Sequence, residues 1–287
     1  MAGGVFGPTA TVAPPMRCLY VDLDGTLLGP DASLLTGADG RFSLLGARAL
    51  EACARAGGEV VIYSGRRQSS VFDAARLIGC SAFIFEIGCG LVIDEELEWL
   101  TDGVEPSEAD GSIFAQIERS GAPAMLLETF AGCLEYHTPW AAGRDVSPLF
   151  RGESDLSAAA AALQAAGFGW LRLVDNGVIH ATSQRLSGLS TIHAYHLIPA
   201  GSSKARAVAR HQQARGYSPQ ECIAVGDSRE DMGAAAVVGT FWLVANALEH
   251  DPSLSADVAA RTGVRVAEAA YGAGVYEAVV TTLTSGG

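Results

Sequence analysis

The chain has 287 residues, of which 49% are hydrophobic and 18% are charged, and it carries a net charge of −13. This composition excludes a disordered chain, and the length is sufficient for one large domain or two smaller ones with buried cores. The excess of acidic residues argues against nucleic acid or an anionic membrane as a partner. A locally positive site can still bind a small anion.

The sequence shows no signal for secretion or for a membrane span. No run approaches the ~18 consecutive apolar residues of a transmembrane helix. Residues 1–15 lack basic residues and contain three prolines, so they predict a flexible tail and not a signal peptide. The six cysteines occur singly within apolar segments, which predicts reduced thiols in a cytoplasmic protein. The pattern is compatible with a monomer or a small homo-oligomer.

Both ends of the chain alternate between buried strands and amphipathic helices. Before residue 100, apolar runs predict strands at 17–23, 59–63 and 82–86, and helical spacing predicts helices at 42–55 and 68–78. After residue 200, the predicted elements are helices at 203–215, 229–238 and 274–283 and strands at 221–225, 240–244 and 264–266. Strands that alternate with helices in this way predict an α/β fold with a doubly wound parallel sheet.

The middle of the chain has a different pattern. Its predicted elements are short strands at 133–137, 170–174 and 178–181 and helices at 107–120 and 153–166. An α+β domain inserted into an α/β host is the simplest interpretation of this pattern. The predicted division is a flexible tail at 1–15, a core formed by 16–100 and 189–287, and an inserted domain at 101–188.

Polar side chains follow three of the predicted core strands. Ligands of doubly wound sheets bind beyond the carboxyl ends of the strands, so we expect these side chains to converge. They are Asp22, Asp24 and Thr26, then Ser64, Gly65 and Arg66, and finally Asp227, Ser228 and Asp231. Lys204 opens the helix before the last of these strands, and the other 18 of the 19 basic residues are all arginine. A lone lysine in such a chain indicates a position where a planar guanidinium would not serve.

These residue types predict a phosphoryl-transfer site. One of Asp22 and Asp24 can attack phosphorus to form an acyl-phosphate, while the other serves as general acid and then as general base. Asp227 adds a third carboxylate, and three such anions repel one another unless a hard cation such as Mg²⁺ lies among them. Ser64 offers a hydroxyl donor to a phosphoryl oxygen, and Lys204 offers a compact positive charge.

In their order and placement, these segments resemble the four motifs of the haloacid dehalogenase superfamily of phosphatases. The motifs are Asp22-Leu-Asp24-Gly-Thr26, Ser64-Gly-Arg66, Lys204 and Gly226-Asp227-Ser-Arg-Glu-Asp231. The resemblance implies that Asp22 is the nucleophile and that Asp24 is the acid and base. It also implies that Mg²⁺ is held by Asp22, the main-chain carbonyl of Asp24, and Asp227, with Asp231 assisting. We expect Thr26, Gly65, Arg66 and Ser228 to contribute to binding a small phosphorylated substrate.

The insert resembles the α+β cap of the group that includes Cof-like sugar phosphatases, sucrose phosphatase and mannosyl-3-phosphoglycerate phosphatase. Arg144-Asp-Val-Ser-Pro-Leu-Phe150 is similar to the cap segment Arg-x-x-Ser-Glu-Pro-Phe of the last of these, which predicts that Arg144 binds substrate. Many relatives have Asn where this chain has Glu230, and Asn-Gly where it has Ile87-Gly88. The resemblance implies a sugar phosphate or a glycosyl-3-phosphoglycerate as substrate.

Two alternatives to a phosphatase remain open on the sequence. A phosphomutase or phosphotransferase of the same superfamily would pass the acyl-phosphate to a sugar hydroxyl instead of water. A receiver-like signalling module also combines acidic residues, Ser or Thr and Lys on a doubly wound sheet. Such modules are shorter, however, and lack both the Asp-x-Asp-Gly-Thr motif and a large insert. A Mg²⁺-dependent phosphatase that forms an aspartyl-phosphate is therefore the leading hypothesis.

Overall fold

A computed structural model of the chain describes residues 16–179 and 183–285, which form two β-sheets with flanking helices. The strands are β1 (Cys18–Val21), β2 (Glu59–Tyr63), β3 (Ala82–Phe85), β4 (Gly90–Ile93), β5 (Glu96–Trp99), β6 (Leu134–Tyr136), β7 (Leu149–Gly152), β8 (Leu171–Val178), β9 (His193–Pro199), β10 (Cys222–Gly226), β11 (Thr240–Leu243) and β12 (Val264–Val266). The helices are α1 (Leu45–Arg55), α2 (Gln68–Ile78), α3 (Ile113–Ser120), α4 (Ala122–Thr129), α5 (Leu156–Ala165), α6 (Lys204–Arg215), α7 (Arg229–Met232), α8 (Ala245–His250), α9 (Leu254–Ala260) and α10 (Tyr271–Ser285). None of these described helices has the length and apolar character needed to span a membrane. The predicted tail at 1–15 lies outside the described residues.

The larger sheet has eight strands in the order β12-β11-β10-β1-β2-β3-β4-β5. The strands from β12 to β3 run parallel, and β4 and β5 extend the sheet with antiparallel pairing. Leu19 and Val21 of β1 pack into one hydrophobic cluster, and Cys18 and Tyr20 pack into another. Because successive side chains of a strand point to opposite faces, helices cover the sheet on both sides. The predicted α/β fold class is confirmed.

The smaller sheet is antiparallel, has the strand order β6-β7-β9-β8, and is called the cap sheet below. Helices α3, α4 and α5 pack against it through a third hydrophobic cluster, which includes Ile113, Leu126, Phe150 and Leu163. This sheet continues to Pro199, beyond residue 188, where the sequence pattern predicts that the insert ends. The division into domains otherwise remains a prediction.

Three features of the sheets differ from the sequence prediction. Strands β7 and β9 of the cap sheet were not predicted. Strands β4 and β5 were not predicted, because the turn that joins them is Asp94-Glu95 and lacks the usual Asn-Gly or Asp-Gly signal. Both residues nevertheless have the positive φ that such a two-residue turn requires, at 49° and 73°. The two strands predicted at 170–174 and 178–181 form one strand, β8, with an irregularity between Asp175 and Val178. The end of the second predicted strand lies outside the described residues.

A polar network stabilises the amino end of β2. The Glu59 carboxylate accepts hydrogen bonds from the Tyr217 hydroxyl at 3.0 Å and from Arg215 Nη2 at 3.1 Å, and it lies 3.6 Å from His211 Nε2. Burial raises the pKa of Glu59, but the contacts with His211, Tyr217 and Arg215 outweigh it and lower the pKa from 4.5 to about 2. The ionised carboxylate therefore stabilises the folded protein.

Replacing Glu59 by Gln should lower the free energy of unfolding at pH 7 by about 2 kcal/mol. Because the folded pKa is depressed, this contribution is complete above about pH 4.5 and is lost as the pH falls toward 2. Urea unfolding at pH 7 and pH 3 should therefore show a smaller difference between variant and parent at pH 3. Glu51→Gln, which removes an exposed pair with Arg55 on α1, is the matched control and should have little effect. An equal difference at both pH values would contradict the prediction.

Candidate active site

The candidate site lies at the carboxyl ends of β1, β2 and β10, where β1 runs between the other two strands. The chain turns sharply after β1 at Gly25, which has a φ of +78°. A Cβ atom at this position would lie 2.0 Å from Asp227 Oδ2, so both the backbone angle and the close approach require glycine. Asn246, which follows β11, donates a hydrogen bond to the Gly25 carbonyl at 2.8 Å. The turn therefore brings the first and fourth motifs into contact.

Lys204 links the first and fourth motifs through its ammonium group. Its Nζ lies 2.8 Å from Asp22 Oδ1 and 2.5 Å from Asp231 Oδ1, and 4.9 Å from the centroid of the Tyr63 ring. Burial opposes the charge of Lys204, but the charges of Asp22 and Asp231 outweigh burial and raise its pKa. Burial also raises the pKa of Asp22, against the opposing charge of Lys204. The predicted nucleophile is thus a buried carboxylate held against a buried cation.

Two predicted substrate-binding hydroxyls have partners within the protein. The Ser228 hydroxyl donates to Asp231 Oδ2 at 2.7 Å and accepts from the Asp231 N–H at 3.2 Å, as part of the cap of α7. The Thr26 hydroxyl donates to Asp227 Oδ1 at 3.3 Å. Both residues are buried. This geometry indicates that both hydroxyls position the carboxylates, whereas the prediction was that they contact the substrate.

The carboxylates of Asp22, Asp227 and Asp231 form a cluster that fits a hard divalent cation. One oxygen from each residue lies within 4.8 Å of the others. Burial, together with the charges of Asp22 and Asp231, raises the pKa of Asp227 well above its ordinary value. Within the described part of the chain, Lys204 forms ion pairs with Asp22 and Asp231. The donor atoms of the cluster are all oxygen, which Mg²⁺ prefers. The Asp24 side chain does not join the cluster. This agrees with the resemblance, which requires only the main-chain carbonyl of Asp24 as a ligand.

Asp24 pairs with Arg66 across the site. The guanidinium donates from Nε to Asp24 Oδ2 at 2.6 Å and from Nη2 to Oδ1 at 2.5 Å. The Arg66 backbone N–H donates to the Ser64 hydroxyl oxygen at 3.2 Å, which fixes the loop after β2. Arg66 was predicted to bind substrate, but both arms of its fork grip the predicted acid and base instead.

Cap-sheet residues lie directly against the loop after β2. A Cβ atom at Gly65 would lie 2.8 Å from Asn176 Nδ2 and 3.1 Å from His196 Nε2. A side chain at this position would therefore collide with the cap sheet. The Gly65 carbonyl accepts a hydrogen bond from Arg144 Nη2 at 2.7 Å. Gly65 is thus a point of contact between the two sheets, which is a different role from the predicted substrate binding.

Arg144 lies in a buried network and does not face an open cleft. Only 8% of the residue is exposed. Besides the Gly65 contact, its Nε donates to the Ser147 hydroxyl at 3.0 Å and lies 3.5 Å from Glu86 Oε2. The buried Glu86 carboxylate also accepts from the N–H groups of Asp145 at 2.7 Å and Ser147 at 2.6 Å. The prediction that Arg144 grips substrate therefore lacks structural support, because these donors already bind the protein.

The two departures from the family pattern have structural partners. Glu230 lies 3.3 Å from the Lys204 backbone nitrogen and 3.4 Å from Arg172 Nη2 on β8, so it connects the cap sheet with α6. Ile87 is fully buried with a φ of 60°. This left-handed conformation is unfavourable for a β-branched residue and suits the Asn of relatives better. Its side chain packs in the same hydrophobic cluster as the cap sheet.

Several residues at the site were not predicted. Asn246 and Glu86 follow β11 and β3, so the rule applied to the other strand ends would have found them. Ser147 lies in the loop before β7, within the segment that resembles the family's cap motif, but only Arg144 of that segment was predicted to bind substrate. His196 lies within β9, where the sequence pattern carries no chemical signal. The imidazole of His196 is buried.

Comparison with known proteins adds a relative and several solved structures. No family model matches the chain. The phosphoglycolate phosphatase of Halorubrum lacusprofundi is 30% identical over 237 residues, which cover 82% of this chain and 86% of that protein. The sucrose-phosphatase of Synechocystis, solved with sucrose and phosphate, has a TM-score of 0.64 at 15% identity and covers 94% of this chain and 98% of its own. A phosphatase of the haloalkanoate (HAD) enzyme superfamily from Bacteroides thetaiotaomicron has a TM-score of 0.60 at 15% identity, covering 98% and 99%.

The sequence relative and the solved structures support different conclusions. At 15% identity, the solved structures establish the fold, an α/β core with an inserted α+β cap. The archaeal relative is similar over most of both chains, and it is a phosphatase. The four motifs occur in order in this chain. The chain belongs to the haloacid dehalogenase superfamily of phosphatases and is a phosphoric monoester hydrolase.

Proposed function

We propose that the protein is a Mg²⁺-dependent phosphatase that hydrolyses a small phosphorylated metabolite through an aspartyl-phosphate on Asp22. The observation that carries this proposal is the contact of Asp22 with the buried Lys204, beside the carboxylates of Asp227 and Asp231. The proposed substrate is a sugar phosphate or a glycosyl-3-phosphoglycerate, and the proposed location is the cytoplasm. We propose that the protein has no nucleic-acid or membrane partner. We also propose that it is a monomer or a small homo-oligomer.

In the first step, an Asp22 carboxylate oxygen attacks phosphorus, and the bond from phosphorus to the leaving oxygen breaks. Asp24, which enters this step in its protonated form, donates that proton to the leaving oxygen, so the alcohol leaves neutral. The charge of Lys204 favours the ionised form of Asp22, because it lowers the pKa that burial raises. Lys204 also offsets the charge that develops on the phosphoryl oxygens, and the Ser64 hydroxyl donates to one of them. When bound by the three carboxylates, Mg²⁺ supplies the further positive charge that the dianionic substrate requires.

In the second step, Asp24 acts as a base because it has given its proton to the leaving group. It takes a proton from a water molecule, whose oxygen attacks phosphorus. The bond between phosphorus and Asp22 breaks, which restores the carboxylate and releases inorganic phosphate. Arg66 holds Asp24 in place between the two proton transfers, since its two hydrogen bonds fix the plane of the carboxylate.

Removing divalent cations should abolish hydrolysis, because the carboxylate cluster otherwise repels the substrate dianion. We expect excess chelator to stop phosphate release from p-nitrophenyl phosphate and added Mg²⁺ to restore it. Circular dichroism should show that the protein stays folded in chelator. Undiminished turnover in excess chelator would overturn the proposed metal requirement.

A panel of phosphorylated metabolites tests the substrate class. With Mg²⁺ present, released phosphate should be greatest for a sugar phosphate or a glycosyl-3-phosphoglycerate. Phosphoglycolate belongs in the panel because the archaeal relative is named for it. Phosphate release that falls when a sugar acceptor is added, with formation of a new sugar phosphate, would identify a phosphotransferase instead.

A further inference from the structure

We propose that His196 selects the leaving group of the substrate: its Nε2 atom presents a lone pair that accepts a hydrogen bond from a hydroxyl of the phosphorylated metabolite. This inference rests on the proposed phosphatase function, and it names a chemical feature that the cap sheet recognises. The expected substrates carry a hydroxyl in the alcohol part of the ester.

The position of the imidazole carries the first step of this inference. His196 lies on β9 and is 2% exposed, and its Nε2 lies 3.1 Å from where a Cβ atom of Gly65 would be. Gly65 stands between Ser64 and the arginine that binds the predicted acid and base. The Lys204 ammonium is close enough to affect the imidazole electrostatically. Nε2 therefore lies where the cap sheet meets the loop after β2, next to the residues of the phosphoryl site.

The hydrogen bonds of Ser147 determine which imidazole nitrogen carries the proton. The Ser147 hydroxyl has one proton, which it donates to Glu86 Oε2 at 2.8 Å. His196 Nδ1 lies 2.9 Å from the same hydroxyl oxygen, so the proton between them must come from Nδ1. Arg144 Nη2 also lies 3.4 Å from Nδ1, but this contact is longer than its 2.7 Å bond to the Gly65 carbonyl and than the 2.9 Å contact of Nδ1 with Ser147, so the Ser147 contact dominates. With the proton on Nδ1, Nε2 carries the lone pair.

The ring is also held neutral. Burial, followed by the positive charges of Arg144 and Lys204, holds the pKa of His196 well below its ordinary value. The ring therefore accepts at Nε2 over the physiological range and does not donate there. An acceptor at this position matches a hydroxyl, which has a proton to donate. It disfavours a carboxylate, because two lone pairs would then face each other without a proton.

The tautomer can be measured without any assay of activity. In protein labelled with ¹⁵N-histidine, long-range ¹H–¹⁵N correlation spectra show which ring nitrogen carries the proton. The signal that disappears in His196→Gln identifies the residue. We expect a neutral ring with the proton on Nδ1 at pH 7, and Ser147→Ala should produce a mixture of tautomers. A proton on Nε2, or a doubly protonated ring, would overturn the proposal even if the protein is a phosphatase.

Selectivity is tested with two esters that differ only in hydroxyl groups, glycerol 3-phosphate and n-propyl phosphate. We expect the parent to favour glycerol 3-phosphate in kcat/KM by about tenfold, the effect of one hydrogen bond. His196→Leu should erase this preference, whereas His196→Gln, whose amide oxygen can also accept, should retain part of it. The matched control is His193→Gln on the same strand, whose imidazole pairs with Asp175, and it should keep the parent's preference.

The other outcomes of the kinetic test oppose the proposal. Equal losses on both esters in His196→Leu and His196→Gln would show a structural role only, and an unchanged preference would remove His196 from the site. If the Leu variant does not fold, the Gln variant and the tautomer measurement decide. Failure of both esters in the parent, with p-nitrophenyl phosphate also stable, would instead count against the phosphatase proposal.

Discussion

Replacing Asp22 by Asn should lower phosphatase turnover by at least ~10⁴-fold, because an amide oxygen does not attack phosphorus as a carboxylate does. The substitution keeps the size of the side chain and its place beside Lys204, so the loss reports the nucleophile and not the packing. Rapid acid quenching followed by mass spectrometry should find a phosphoryl group on the peptide that contains Asp22 in the parent. The variant should show none.

Asp73→Asn is the matched control for this experiment. Asp73 is exposed on α2, so the same change of charge should leave turnover within a few-fold of the parent. Near-normal turnover in a folded Asp22→Asn protein, or a phosphoryl adduct on another residue, would rule out the covalent mechanism on Asp22.

Replacing Lys204 by Arg should lower turnover by ~10²-fold or more, although the positive charge is kept. The ammonium occupies a pocket bounded by Asp22 at 2.8 Å, Asp231 at 2.5 Å and the Tyr63 ring. A flat guanidinium is too wide for this pocket, so it would displace the nucleophile or the turn after β10. The loss should appear in kcat for p-nitrophenyl phosphate, because that ester tests the phosphoryl site.

The reverse exchange on the same helix provides the control. Arg206→Lys alters an exposed residue that pairs with Asp102 at 2.6 Å, and it should leave kcat within a few-fold of the parent. A Lys204→Arg variant that is equally active would show that the single lysine of the chain is a coincidence.

The core sheet and the convergence of its motifs follow from the sequence, because each signal is local. Apolar runs that end in polar residues mark buried strands, and the parallel arrangement brings their carboxyl ends to one edge. The contact of Lys204 with Asp22 spans 182 residues. It could nevertheless be expected, since each residue stands at the end or the start of a predicted element.

Partner choice within the site did not follow from the sequence. Arg66 reaches Asp24 across 42 residues, and Arg144 reaches the Gly65 carbonyl across 79. Several acceptors were within reach of each guanidinium, and only the packing of the two sheets selects among them. The residue type of Arg66 and Arg144 predicted cations at the site. The packing of the two sheets decided whether each guanidinium was free to bind substrate.

The strand order also determines when the site can assemble during synthesis. β1 lies between β2 and β10, and β10 begins only at Cys222. As the chain emerges from its amino end, the cap sheet is complete at Pro199 while one edge of β1 still has no partner. A nascent chain thus holds its nucleophile long before the fourth motif exists. Such an open apolar edge can pair with another chain, so this interval is the one in which the protein most needs protection from aggregation.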